Sequence, residues 1–432
     1  MPSPAAAPDD PADARAVDTL VIGAGQAGLA TSYWLSRHGV DHEVLEQRPE
    51  LGGAWQDRWD SFYLNTPNLA FLLPGLTYDG PEPDAFLPRD EVIGLFRDYA
   101  KRIAAPVRLG TEVTRVTTAA GGFADDSSFA VDTTRGTWRA RNVVLANGAY
   151  QRPRIPASAA TLPAHIRQLH SHDYRNPAQL PDGAVLVVGT GQSGGQITED
   201  LLAAGRDVHL SVSACPEAPR RYRGQDLFYW LLQVNLHGPD HGITGLQADR
   251  LPSPAARFAC NPLISGNDGG HSIRLRELGR RGVRLHGRFG GTDDGGLVFS
   301  DDLPARLALA ESAFGQRMQV MLDAYIAAAG IDAPPAESPP AVDWVPPDSG
   351  ARLDLAAAGI TSVIWCTGYG LDFGFLDLPV LDAWNYPRHT RGVTEAPGLY
   401  AVGLPWLTRH SSSTVALVGQ DAEYVAGHIA GR

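Results

Sequence analysis

Apolar residues gather along this chain in short blocks that repeat one design. Residues 17–22 end in a run of Leu, Val and Ile, 23–28 are glycine-rich, 29–38 carry apolar positions at helical spacing, and 42–45 close on Val and Leu. A short apolar run bounded by glycine predicts a buried strand, and a 3.6-residue period predicts a helix. The predicted order is therefore strand, turn, helix, strand. It returns at 184–188, 189–195, 197–204 and 208–212. The chain carries two copies of one α/β unit.

Between the copies, 91–103 predicts a helix, and strands are expected around 107–116, 129–133 and 142–146. Pro153 and Pro156 mark a crossing between domains. Downstream, Leu307, Phe314, Met318, Met321, Leu322 and Tyr325 fall near helical spacing within 303–329, which predicts a long amphipathic helix whose stripe is core. The Pro-rich stretch 333–347 reads as a linker, and strand character resumes at 362–366. The predicted fold is α/β, with two dinucleotide-binding, Rossmann-like domains and the second inserted into the first. Its limits are a disordered tail at 1–16, the first domain at 17–155, the second at 156–340, and the return to the first at 341–432.

Composition narrows the function classes. The 432 residues are 44% hydrophobic, enough for more than one packed core, and the formal net charge of -12 gives no reason to bind nucleic acid or an anionic membrane. No apolar run approaches the roughly 18 to 20 residues of a spanning helix, and 1–17 lacks the basic start and apolar middle of a signal peptide. A cytoplasmic protein is expected. Cys215, Cys260 and Cys366 are far apart and form no Cys-x-x-Cys pair, so a dithiol redox centre is not expected. No metal site is expected either.

The first glycine-rich turn, Gly23-Ala24-Gly25-Gln26-Ala27-Gly28, satisfies G-x-G-x-x-G between a strand and a helix. The first glycine allows the tight turn, the second admits a pyrophosphate, and the third lets helix and strand pack closely, with the helix N-terminus toward the anion. Glu46 ends the next strand, where a carboxylate can accept from ribose hydroxyls. That acid favours FAD or NAD over a 2′-phosphate. The second turn, Gly189-Thr190-Gly191-Gln192-Ser193-Gly194, is built alike, but its following strand ends in Ser211-Val212-Ser213 with no acid, and Arg220, Arg221 and Arg223 come soon after. Ser and Arg can donate charge-assisted hydrogen bonds to a 2′-phosphate, so this second site is read as NADPH-binding through Ser211, Arg220 and Arg221.

Leu51-Gly52-Gly53-Ala54-Trp55 follows the acid, and Leu64-Asn65-Thr66-Pro67 lies beyond it. With the first fingerprint, these segments resemble the class B flavoprotein monooxygenases. His170-Ser171 and Tyr174 resemble the H-S-x-x-Y form of flavin-containing and plant auxin-pathway members, while Ala164 and Ile166 stand where a Phe and a Gly would begin the longer fingerprint. Ala146-Asn147-Gly148 and Cys366-Thr367-Gly368-Tyr369 resemble two domain crossovers, and Gly398 to Gly403 the final strand against FAD. Leu404 replaces the Asp of disulfide reductases at that point.

The resemblance implies FAD at the first site and NADPH at the second, with Gln47, Gly53, Trp55, Thr66, Val113, His170, Thr367, Gly368 and Gly403 near the cofactors. It implies a monooxygenase that inserts one oxygen atom into a small organic substrate through a C4a-(hydro)peroxyflavin, with molecular oxygen as co-substrate. The protein then supplies positioning and dryness. Asn65 and Asn68 are the candidates for a side-chain amide beside the flavin. Phe228, Tyr229, Trp230, Trp406 and 410–413 are candidates to face the substrate. A homodimer stays open. The alternatives are an NADPH-dependent flavoprotein reductase and a non-catalytic nucleotide-sensing flavoprotein.

Overall fold

The computed structural model describes residues 15–119, 129–293, 296–337, 340–347 and 350–431. Two parallel sheets organise them. In the first, the strand Arg15–Ile22 lies between Gly136–Leu145 and His42–Leu45, with Leu399–Ala401 and Val107–Arg108 outside these. An antiparallel meander, Val113–Thr118 and Phe129–Thr133, continues from Gly136–Leu145. The second sheet runs Arg167–His170, Ile360–Trp365, Ala184–Val188, Val208–Ser211, Arg284–His286, with every pairing parallel.

The strand Arg15–Ile22 begins two residues before the expected Val17, and the rest of the expected tail lies outside the described residues. Ile360–Trp365 belongs to the second sheet, where it lies between Arg167–His170 and Ala184–Val188. The second unit therefore keeps the chain through residue 365, whereas the sequence reading returned it to the first unit at 341. A strand covered on both faces reads as a plain apolar run and does not declare its sheet.

The predicted helix at 91–103 is Arg89–Arg102. That at 303–329 is Leu303–Ala313 and Gln319–Ala328, joined by a π turn at Phe314–Met318. Its Leu307, Leu322 and Tyr325 are buried, while Phe314, Met318 and Met321 pack at the edge of a core that also holds Trp230 and Leu231.

Packing of the first unit follows from its helices. Gln26–Arg37 buries Leu29, Ala30 and Leu35 on the sheet and on Val418–Ala430, which contributes Ala422, Val425 and Ala426. Each fully buried Leu or Val contributes about 1.5–3 kcal/mol. The same continuous core takes in Val185, Val187 and Leu210 of the second sheet, so apolar packing joins the two units.

Candidate functional site

The first glycine-rich turn is a cradle with one open side. Gly23 has φ +103°, a conformation that favours glycine, and a Cβ there would stand 2.8 Å from the Ala146 carbonyl oxygen. Its N–H donates to the Leu45 carbonyl at 2.8 Å. A Cβ on Gly28 would lie 1.8 Å from the Gly23 carbonyl oxygen, so helix and turn touch directly. Gly25, by contrast, would direct a Cβ into open space. It caps Gln26–Arg37, which has no side-chain cap and no acid in its first turn. Free N–H groups and the positive end of the helix dipole therefore face that opening.

Neighbouring segments close the cradle. Glu46 is buried and accepts from the N–H groups of Ala24 and Arg48, both at 2.9 Å, which leaves carboxylate lone pairs for ribose hydroxyls. Gly53 packs on Gly25, and the Trp55 indole donates to Gln26 Oε1 at 3.0 Å. Gly403 approaches Ala27 so closely that a Cβ would stand 2.4 Å from the Ala27 Cβ. Val113 starts the meander two residues after Thr111, whose N–H donates to the Glu46 carbonyl at 2.8 Å. Gln47 is exposed on the same loop, and Thr66 is half-buried farther along. Beside Gly23, the buried Asn147 Oδ1 has no hydrogen-bond partner among the described residues. The acceptors, the open cradle and the uncapped helix fit FAD.

The second cradle repeats the first. Gly189 also has φ +103°, with a Cβ 2.6 Å from the Cys366 carbonyl oxygen, and a Gly194 Cβ would lie 1.9 Å from the Gly189 carbonyl oxygen. Gly191 opens into free space and caps Gln192–Ala203, again with no side-chain cap or first-turn acid. Ser193 is half-buried in that first turn. No acid ends the following strand. Instead, Ser213 Oγ accepts from the Thr190 N–H at 3.1 Å and lies 3.0 Å from Thr190 Oγ1. A pyrophosphate fits here too, without the carboxylate that would repel a 2′-phosphate.

The donors expected for that phosphate are only partly brought together. Ser211 is buried; its hydroxyl donates to the Gly287 carbonyl at 3.1 Å and accepts from the Phe289 N–H at 2.8 Å. Arg220 is buried against the Phe86 ring, 2.8 Å from Asp226, and donates to the Asn65 carbonyl at 2.7 Å. Arg223 pairs with Asp323 at 3.0 Å. Arg221 alone of the three arginines is exposed. A cluster of cations in sequence has thus become two structural anchors and the exposed side chain of Arg221.

Asn65 lies between the units. Its Nδ2 donates to Gln192 Oε1 and its Oδ1 accepts from Gln196 Nε2, each at 2.6 Å. One turn further along the same helix, Asp200 accepts from Ser61 Oγ and Tyr174 Oη, also at 2.6 Å. Gln196 and Asp200 were not singled out from sequence, although Gln192, Gln196 and Asp200 form a polar row four residues apart on one helix face. Asn68 differs from Asn65. It is buried, its Nδ2 donates to the Glu82 carbonyl at 2.9 Å, and its Oδ1 has no partner among the described residues.

His170, Thr367 and Gly368 fasten the two crossing connections. His170 Nε2 donates to the Gly368 carbonyl at 3.1 Å, Nδ1 accepts from the His172 N–H at 3.1 Å, and burial lowers the ring's pKa to about 4. The Thr367 hydroxyl donates to the Arg154 carbonyl, and the Arg154 N–H to the Gly368 carbonyl at 2.9 Å. Among the proposed substrate-facing aromatics, Trp230 is core, with its indole donating to the Tyr222 carbonyl at 2.6 Å. Among the described residues no three His, Cys, Asp or Glu side chains could hold a metal, and no helix is long and apolar enough to cross a membrane.

Known proteins are similar to this chain in sequence and in fold. Residues 20–235 match the family described as pyridine nucleotide-disulphide oxidoreductase. The "Uncharacterized oxidoreductase CzcO-like" protein of Geobacillus kaustophilus is 30% identical over 415 residues, 96% of this chain and 98% of that one. "Flavin-containing monooxygenase FMO GS-OX-like 2" of Arabidopsis thaliana is 29% identical over 260 residues, 50% of this chain and 54% of its own. The fold is shared with a flavin-containing monooxygenase from Stenotrophomonas maltophilia, with a TM-score of 0.62 at 20% identity, over 96% of this chain and 99% of that one. The chain belongs to the pyridine nucleotide-disulphide oxidoreductase family, as a flavin-dependent oxidoreductase similar in part to flavin-containing monooxygenases.

Proposed function

We propose that this protein is an FAD-dependent, NADPH-consuming monooxygenase that inserts one oxygen atom into a small organic substrate via a C4a-(hydro)peroxyflavin. The observation that carries the reading is the pairing of two like cradles, one with the acid Glu46 and one without, with the second cradle's helix hydrogen-bonded through Gln192 and Gln196 to Asn65 on the loop beyond Trp55. Bound FAD would supply the oxygen chemistry. The protein's part is to orient and to keep dry. Gly23 to Gly28 and Glu46 would hold FAD, and Gly189 to Gly194 the dinucleotide that reduces it. Arg221 is the exposed cation left to meet a 2′-phosphate. Of the two asparagines, Asn68 offers the open acceptor, while Asn65 is engaged on both amide atoms. Asn68 is therefore the residue proposed to face the flavin, and Asn65 a positioning residue.

The test is to reduce the purified yellow protein anaerobically with NADPH, mix it with oxygenated buffer, and follow the flavin spectrum from milliseconds to minutes. A transient species preceding oxidised flavin, with substrate-accelerated NADPH consumption, is the expected result. Direct and featureless return to oxidised flavin, unchanged across a substrate panel, would favour an NADPH-dependent flavoprotein reductase instead.

A further inference from the structure

Two cysteines that sequence spacing keeps apart meet beside the second cradle. The segments 214–217 and 260–263 run alongside each other, with Glu217 and Leu263 as a parallel bridge and the Leu263 N–H donating to the Pro216 carbonyl at 2.8 Å. Their thiols cross. Cys215 Sγ lies 3.4 Å from the Asn261 carbonyl oxygen and Cys260 Sγ 3.3 Å from the Ala214 carbonyl oxygen, so each sulfur reaches the residue next to the other cysteine. The two thiols are near enough that each shifts the titration of the other. The bridge sets Cys215 opposite Asn261, one residue from Cys260; a lateral spacing of about 4.8 Å and a rise of about 3.3 Å put the two cysteine Cα atoms roughly 5.8 Å apart, within the range of about 4.4–6.8 Å that a disulfide spans.

We propose that Cys215 and Cys260 are a disulfide-forming pair, oxidised by hydroperoxides, that ties the loop after the Val208–Ser211 strand to the 260–264 segment. The two sulfurs are not equivalent. Cys260 is half-buried, and the neighbouring Cys215 thiol lowers its pKa and favours the thiolate; Cys215 is buried, and Cys260 and burial raise its pKa. The Cys260 thiolate attacks the terminal hydroperoxide oxygen, the O–O bond breaks, and sulfenic acid and an alcohol or water result. Cys215 sulfur then attacks the Cys260 sulfur, the S–S bond forms, the S–O bond breaks, and water leaves. Two thiols and one hydroperoxide thus give one disulfide, one alcohol or water, and one further water.

The location gives the bond a consequence. Ser213, two residues before Cys215, is hydrogen-bonded to Thr190 within the second fingerprint. The carbonyls of Pro262 and Ile264 accept from Gln192 and Gln196, and Asn261 meets His410 at 3.1 Å. A disulfide here would pin the second cradle's rim to the segment that holds the interdomain glutamines.

The experiment treats the purified full chain with hydrogen peroxide, alkylates it after unfolding, and analyses peptides by mass spectrometry. Two of the three thiols should be lost, with a 215–260 cross-linked peptide lighter by two hydrogens, and dithiothreitol should restore both. Cys366→Ser should leave the cross-link intact, because Cys366 is buried with a raised pKa. Cys260→Ser should abolish it, and Cys215→Ala should leave a dimedone-reactive sulfenic acid at Cys260. Three alkylatable thiols after peroxide, sulfinic acid at Cys260 without a cross-link, or a disulfide between two chains would each overturn the proposal.

Discussion

Glycines that look alike in sequence have opposite roles in the cradles, and paired alanine substitutions separate them. Gly25→Ala adds a methyl group that meets no protein atom within 4 Å, whereas Gly28→Ala drives one to 1.8 Å from the Gly23 carbonyl oxygen. The first should leave the apoprotein within about 0.5 kcal/mol of wild type. The second forces the helix off the turn, and overpacking of that kind costs about 1–3 kcal/mol or more. If the opening before Gly25 holds a pyrophosphate, its methyl group displaces at least one hydrogen bond between a backbone N–H and a charged oxygen. Such a bond is worth about 1.5–3 kcal/mol, or roughly a tenfold to hundredfold loss of FAD affinity at 1.4 kcal/mol per decade. Gly191→Ala and Gly194→Ala form the matching pair, with a Cβ in open space and one 1.9 Å from the Gly189 carbonyl oxygen. Flavin titration of apoprotein, the NADPH Michaelis constant and urea unfolding would be measured on all four. The expected pattern is ligand-specific loss at 25 and 191 and general destabilisation at 28 and 194. Retained FAD affinity in a well-folded Gly25→Ala protein would refute the cradle argument.

Arg220→Ala should destabilise the fold by about 3–5 kcal/mol, because Asp226 is left buried without its partner; urea unfolding measures this, and a stable variant whose NADPH Michaelis constant alone rises would return Arg220 to the cofactor. Asn68→Ala should increase hydrogen peroxide release per NADPH consumed while FAD affinity stays near wild type, and unchanged coupling would remove Asn68 from the flavin. The buried Glu217 carboxyl has its pKa pushed up by burial to about 7, from the ordinary carboxyl value of 4.5. Its native form therefore binds a proton more tightly than the unfolded chain, and that stability is present below 4.5 and lost as pH rises through about 7. The difference is about 3 kcal/mol, so Glu217→Gln should flatten the urea midpoint against pH in that window, and a slope parallel to wild type would count against the shift.

The duplicated unit was legible because its signals are local. Strand, glycine turn and helix lie within a few residues of each other, and the third glycine of each turn packs on the first, Gly28 on Gly23 and Gly194 on Gly189. What the sequence hid was long-range pairing. The apolar run of Ile360–Trp365 would suit either sheet, and only its neighbours Arg167–His170 and Ala184–Val188 decide between them. The arginines at 220 to 223 carried charge but not direction, and Asp226 and Asp323 claim two of them. Cys215 and Cys260 were read as unrelated because distance along the chain says nothing about two segments that run side by side. One missed signal was present throughout. Gln192, Gln196 and Asp200 recur every four residues on a helix whose other inward positions are small or apolar.

That polar row bears on how the two units work together. A helix face meant only for packing would carry apolar residues there, since each buried polar group left unpaired costs about 1–3 kcal/mol. Here all three side chains find partners on the 61–65 segment, which leads directly to Asn68. The helix that begins at the second cradle is thus hydrogen-bonded to the loop expected along the flavin. Gln192 occupies both places at once, in the fingerprint and in the contact with Asn65. Any shift of that helix N-terminus on binding a dinucleotide would reach Asn65 through one 2.6 Å hydrogen bond. His170, neutral and hydrogen-bonded through both ring nitrogens, ties Gly368 to the 170–172 turn.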